Sequence, residues 1–353
     1  MAYLSKHSLP RANRQSGVTL VEIMVGIVIS LILLNGVIQI FISSKQTYRF
    51  GEAVSRLQES GRFAMELLTG DLRMAGYQGC ADLGSIPANV IANNPPVVSF
   101  SSEVVKGWEI DATMAATPSS PALPTGLTNM ISNSDVVSIQ HASDTGVKLT
   151  GNMLVDNANI QLQPTSLFKA NDVLFISDCE TVDVFRANNV SNSGTITTIA
   201  HSNSVNTTNK LSKPYGTDAS VYAFESNVYY VGNTGRTNGY GNPIMALYKR
   251  DVNGVVTELV EGVENIQVLY GERADNGNMR YVKANDATLD MNKVISVRIG
   301  LLISSIQEVN RDVDNNTYNV AGTTIGTSGT VTHPADKRIR RVFIATVRLR
   351  NRR

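Results

Sequence analysis

The hydrophobic pattern changes twice along the chain. From 18 to 42 the residues read VTLVEIMVGIVISLILLNGVIQIFI, 25 positions with one charge, Glu22. As an α-helix rising about 1.5 Å per residue this run is about 37 Å long, enough to cross the roughly 30 Å hydrocarbon core of a bilayer. The second pattern is amphipathic. Phe50, Val54, Leu57, Gly61, Ala64, Leu68, Leu72 and Ala75 recur at steps of three and four, which places them in one apolar stripe along a helix. No proline stands between Pro10 and Pro87, and Gly76 and Gly79 supply stop signals. The pattern predicts one helix with a transmembrane half at 18–42 and an amphipathic half at 43–76.

Beyond 80 the text changes to short β-patterned runs separated by Asn, Gly, Ser and Pro clusters. The strands expected are 135–140, 172–177, 182–186, 195–200, 220–231, 245–250, 263–270, 294–304 and 341–350. No run of helical period and length interrupts them. The fold class is therefore α+β: a β-rich head at 77–353, mostly antiparallel, laid on the amphipathic half of the helix. The whole is a lollipop. The stretches 85–124, rich in Pro and Ser, and 308–336, rich in Asn, Thr and Gly, read as long surface loops.

Composition removes several function classes. At 353 residues and 42% hydrophobic the chain can bury a core without staples. A net charge of +1 gives no long-range attraction for nucleic acid. Two cysteines and four scattered histidines leave little for a zinc site, and there is no HExxH, CxxC, glycine-rich phosphate loop or GxSxG. No catalytic residue, cofactor or metal is expected, and His141, His201 and His333 show no fixed spacing. Asp275, Asn276, Gly277 and Asn278 lack the EF-hand spacing and read as a hairpin turn. Asp312, Asp314 and Asn315 offer oxygen ligands with no stronger signal. The basic run Lys337, Arg338, Arg340, Arg341, Arg348, Arg350, Arg352 and Arg353 could meet phosphates. Its alternation instead turns Phe343, Ala345, Val347 and Leu349 to a core and Arg348 and Arg350 to solvent.

The first seventeen residues carry Lys6, Arg11 and Arg14, no acid, and end in Ser16 and Gly17. The positive-inside rule keeps this leader in the cytoplasm and puts everything after Ile42 across the membrane. A secretory signal would be cut after its apolar stretch; here the small residues precede it. A basic leader, Gly17, an apolar residue, Glu22 five positions after the glycine and an unbroken apolar helix together resemble the class III signal of type IV prepilins. The resemblance implies cleavage by prepilin peptidase after Gly17, methylation of the new amino terminus at Val18, and an assembly role for Glu22. Val18 stands where Phe or Met is commoner, and Gln39 where major pilins usually carry a proline. A carboxylate in a membrane helix costs about 2.5–3.5 kcal/mol at the bilayer centre and less near the interface. Its natural partner is a neighbouring chain's positive amino terminus; an acid snorkelling at the headgroups is the alternative.

The segment LQESGRFAMELLTGDLRMAGYQGC at 57–80 is similar to the PilW family of type IV pilus assembly proteins, the large minor pilins. NDVLFISDCETVDVFR at 171–186, ALYKRDVNGVVTELVEGVENIQVLYGE at 246–272 and RIRRVFIATVRLRNR at 338–352 agree. The resemblance implies a pilin-like, non-enzymatic protein that helps start or cap the type IV pilus. Its partners would be other minor pilins, the major pilin, a pilus-tip adhesin and the inner-membrane assembly platform. The chain would cross the inner membrane once with its head in the periplasm, then reside in the pilus, at its tip. A minor pseudopilin of a type II secretion system is the nearest alternative; a signal-anchored periplasmic enzyme or ligand-binding sensor is the alternative from another class. In this topology Cys80 and Cys179 lie in an oxidising compartment, which favours a disulfide over two buried thiols. It would close a loop of about 100 residues, worth about 4.7 kcal/mol in the chain-entropy account.

Overall fold

The computed structural model describes residues 17–80, 88–93, 104–153, 157–274 and 277–351. The chain divides into two compact units, Met1–Gly51 and Glu52–Arg353. A single helix, Leu20–Met74, runs through 55 residues, with Val18 and the large apolar residues up to Ile42 exposed. It is long and apolar enough to cross a membrane.

Within the second unit the predicted stripe becomes the buried face. Leu57, Gly61, Ala64, Leu68 and Leu72 are buried, joined by Thr69, and Ala75 continues the line. Phe50 is exposed and Val54 half-buried, so full burial begins only at Leu57, about two turns later than the pattern suggests. Gly76 ends the helix at φ 75°, the left-handed conformation that suits a residue without Cβ. Its N–H donates to the Gln140 carbonyl at 2.9 Å, and Ala142 N–H donates to Tyr77 O at 2.6 Å. The helix end is thereby stitched to the strand Val136–Ala142.

That strand pairs antiparallel with the long central strand Ser220–Thr237, which also pairs with Val173–Ser177 and Pro243–Arg250. Val182–Arg186 extends the sheet beside Val173–Ser177, and Val256–Glu261 extends it beside Pro243–Arg250. A second antiparallel sheet runs in the order Met279–Val282, Val263–Arg273, Val294–Ser304, Arg340–Arg348. Leu57, Leu68 and Leu72 of the helix share one core with Ile139 of the first sheet and Ile266 and Leu301 of the second. The fold is α+β, with a mostly antiparallel, β-rich head.

Two stretches read as loops carry strands. Val105–Ile110 lies within 85–124, pairs with Val136–Ala142 and buries Trp108 completely. It is covered on both faces, so it lacks the polar-apolar alternation that marks a half-exposed strand. Within 308–336, Tyr318–Val320, Thr323–Gly326 and Val331–Thr332 form a small sheet. Its apolar content is little more than Val320 and Ile325 set on Leu302. Strands this short, with so few apolar positions, give no periodic signal.

Candidate functional site

The leader residues 1–16 lie outside the described residues. Gly17 and Val18 are exposed and precede the helix in non-helical conformation. Thr19 and Glu22 then form a capping box. The Glu22 carboxylate accepts from Thr19 N–H and Thr19 Oγ1, both at 2.9 Å, and Thr19 Oγ1 accepts from Glu22 N–H at 3.3 Å. This reciprocal pairing satisfies orphan donors of the first turn. The TxxE spacing that produces it is visible in the sequence. Glu22 thus has local donors next to the Val18 position, which lowers the cost of holding its charge at the edge of an apolar helix.

In the head, polar side chains converge on Asp71, in the last turn of the helix. Its Oδ2 accepts from Asn227 Nδ2 at 2.8 Å and Tyr229 Oη at 2.7 Å, while Oδ1 faces His141 Nε2 at 3.2 Å. Glu225, Asn227 and Tyr229 alternate along one face of the central strand, and Glu225 stands directly opposite His141 in the ladder. Asn227, Tyr229 and His141 are buried. Burial opposes ionisation of Asp71, yet the hydrogen bond and charge of His141, with the bonds from Tyr229 and Asn227, hold its carboxyl below the usual range. Burial likewise disfavours the His141 imidazolium, but Asp71 outweighs it and raises the group. Burial and the Asp71 charge push the Tyr229 hydroxyl up. The hub ties the helix end to the sheet. The sequence carries a faint signal for it, the spacing ExNxY at 225–229.

The remaining candidates separate. His201 is fully buried against the Phe185 ring. The His333 ring nitrogens face the carbonyls of Pro334 and Asn316 at 3.0 and 2.9 Å. The three histidines do not converge. Cys80 and Cys179 are joined in a disulfide. Asp275 and Asn276 lie outside the described residues; Gly277 and Asn278 belong to a turn in which Ala274 N–H reaches Asn278 O and Gly277 N–H reaches Ala274 O.

Asp314, read as a possible cation ligand, instead serves an internal ion network. Arg340 is fully buried; it binds Glu264 through Nε at 2.6 Å and, through Nη1, Asp336 at 2.9 Å and Asp314 at 3.1 Å. Arg338 pairs with Asp336 at 2.6 Å and Glu264 at 3.1 Å. Two members of the C-terminal basic run are therefore consumed inside the head. Arg341, Arg348 and Arg350 are exposed, and Val347 and Leu349 are buried, as the alternation indicates.

The termini of the chain match two family models. Residues 12–35 match the prokaryotic N-terminal methylation motif, which spans Gly17, Val18 and the Thr19–Glu22 box. Residues 228–351 match type IV pilus-assembly protein W, from the central strand to the end of the second sheet. The chain is thus similar to the PilW family in its C-terminal part and carries a prepilin motif in its N-terminal part. No curated protein matches it. The PilW match together with the prepilin motif supports a role in type IV pilus assembly and implies processing by prepilin peptidase, assembly with other pilins and anchoring in a membrane. The family is a pilus component and no known class of enzyme.

Proposed function

We propose that this protein is a PilW-type minor pilin of the complex that primes or caps the type IV pilus. It would act with other minor pilins, the major pilin, a tip adhesin and the inner-membrane platform, with its head in the periplasm before assembly. The observation that carries the reading is the methylation motif, set against the start of an exposed apolar helix whose far half is built into a PilW head. Such a helix is stable in lipid as an anchor and has an apolar surface on which helices of neighbouring pilins can pack.

Gly17 and Val18 serve processing and Glu22 serves docking. In a single chain the carboxylate is held by Thr19. When a neighbour's methylated amino terminus approaches, an ion pair in low dielectric adds attraction that neutral donors do not supply. The Thr19 cap keeps the carboxylate pointed along the first turn meanwhile. Co-purification of partner pilins from membranes tests this reading. Glu22→Gln should leave leader cleavage unchanged and reduce partner recovery and surface piliation. Undiminished recovery with normal piliation would show that the carboxylate has no docking role.

A further inference from the structure

The Asp71 hub holds one nitrogen and two oxygen donors in the arrangement of a half-built metal site. His141 Nε2, Asp71 Oδ1 and a Glu225 carboxylate oxygen all lie within 4.8 Å of one another. The geometry points to a divalent-cation site of zinc character with these three atoms as protein ligands and a fourth position left to solvent. In a tetrahedral site with bonds of 2.0–2.1 Å, neighbouring ligand atoms are about 3.3 Å apart. The His141 to Asp71 separation is 3.2 Å, and His141 to Glu225 is 3.9 Å. Glu225 is 43% exposed along its side chain, so a change of rotamer is free to carry its carboxylate further toward His141 Nε2 and Asp71 Oδ1.

The surroundings of the three donors strengthen the assignment independently of their spacing. His141 Nδ1 lies 2.8 Å from its acceptor, the Ala142 carbonyl. That bond fixes the ring and aims Nε2 at the carboxylates, the support usually found behind a ligating imidazole. Asn227 and Tyr229 both bind Asp71 Oδ2, so Oδ1 is the oxygen turned toward His141. Imidazole nitrogen among the donors favours zinc over calcium or magnesium, which take oxygen. The cation would occupy the place of the Nε2 proton, which passes to solvent on binding. Because the ligands come from the helix end and two paired strands, the ion would clamp the helix to the sheet. The site does not depend on the assembly role, and either can fail alone.

The test is zinc titration by calorimetry of the full mature chain in detergent after chelator treatment, with cobalt(II) absorption as a geometric probe. One equivalent should bind, with tetrahedral cobalt bands and a raised Tm. Affinity should fall at least roughly tenfold in Glu225→Gln, whose half-exposed position leaves folding intact by circular dichroism, and should vanish in His141→Gln. No zinc uptake by the wild type, or equal uptake in Glu225→Gln and wild type, would overturn the assignment.

Discussion

The Phe343 ring lies directly over the bare backbone of Gly61, where a methyl group would overlap it. This contact joins the amphipathic half of the helix to the last strand of the second sheet, and glycine is what permits it. In an unencumbered helix interior alanine is favoured over glycine by about 1 kcal/mol, whereas overpacking costs about 1–3 kcal/mol. Gly61→Ala should therefore lower stability by about 1 kcal/mol in the native background. In a Phe343→Ala background it should raise stability by a similar amount. Thermal or urea unfolding of the four proteins measures the cycle, and an unchanged sign would contradict the packing described.

Arg340 sets up a second expectation. With Glu264, Asp336 and Asp314 around it, its removal leaves Asp314 without its cation and Glu264 and Asp336 with Arg338 alone; breaking such a buried network costs about 3–5 kcal/mol. Arg340→Met should show that loss at pH 7. Burial works against the Asp314 and Asp336 carboxylates, but their hydrogen bonds, including those from Arg340, hold both below the ordinary value. Groups so lowered stabilise the fold above their unfolded pKa of about 3.9, and that contribution fades as pH falls through the folded value. The gap between Arg340→Met and wild type should narrow below about pH 4. Denaturant unfolding at pH 7 and pH 3.5 checks both points.

Asp135 behaves in the opposite sense. Burial, then the charge of Glu109, pushes its carboxyl well above the usual range, while Val268 N–H donates to it at 2.7 Å. A carboxyl raised on folding contributes stability below its unfolded pKa and loses it as pH rises through the folded value. Asp135→Asn keeps an acceptor for Val268 and a donor for Glu109 without the charge. It should match wild type near pH 4 and exceed it at pH 7–8, the gap growing by at most about 1.4 kcal/mol per pH unit. Parallel stability profiles for the two proteins would contradict the raised carboxyl.

What could be read in the sequence was whatever had a period. The stripe from Leu57 to Ala75 fixes the helix face, and the alternation of Val347 with Arg348 and Leu349 with Arg350 fixes the face of the last strand. Val182–Arg186 and Val294–Ser304 have the bounds expected of them. What lacked a period was hidden. Val105–Ile110 is buried on both sides, and Lys106 and Gly107 interrupt its apolar run. The Arg338 and Arg340 network draws on Glu264, far away in sequence, so a tally of charges sees cations and cannot see their partners. Asp71 is hidden in the same way, because its donors come from positions about 70 to 158 residues later. The prepilin motif matched at 12–35 was legible because a processing signal is a local pattern, read before the chain folds.

As a prepilin, this chain would enter the membrane with its leader attached and mature at the head of its apolar helix. Intact mass of the protein isolated from membranes tests it most directly. The account predicts a chain that has lost residues 1–17 and gained one methyl group at Val18, with the leader retained when Gly17 is replaced by a bulky residue. A chain that keeps its leader in cells with active prepilin peptidase, or one cut beyond Ile42, would contradict it.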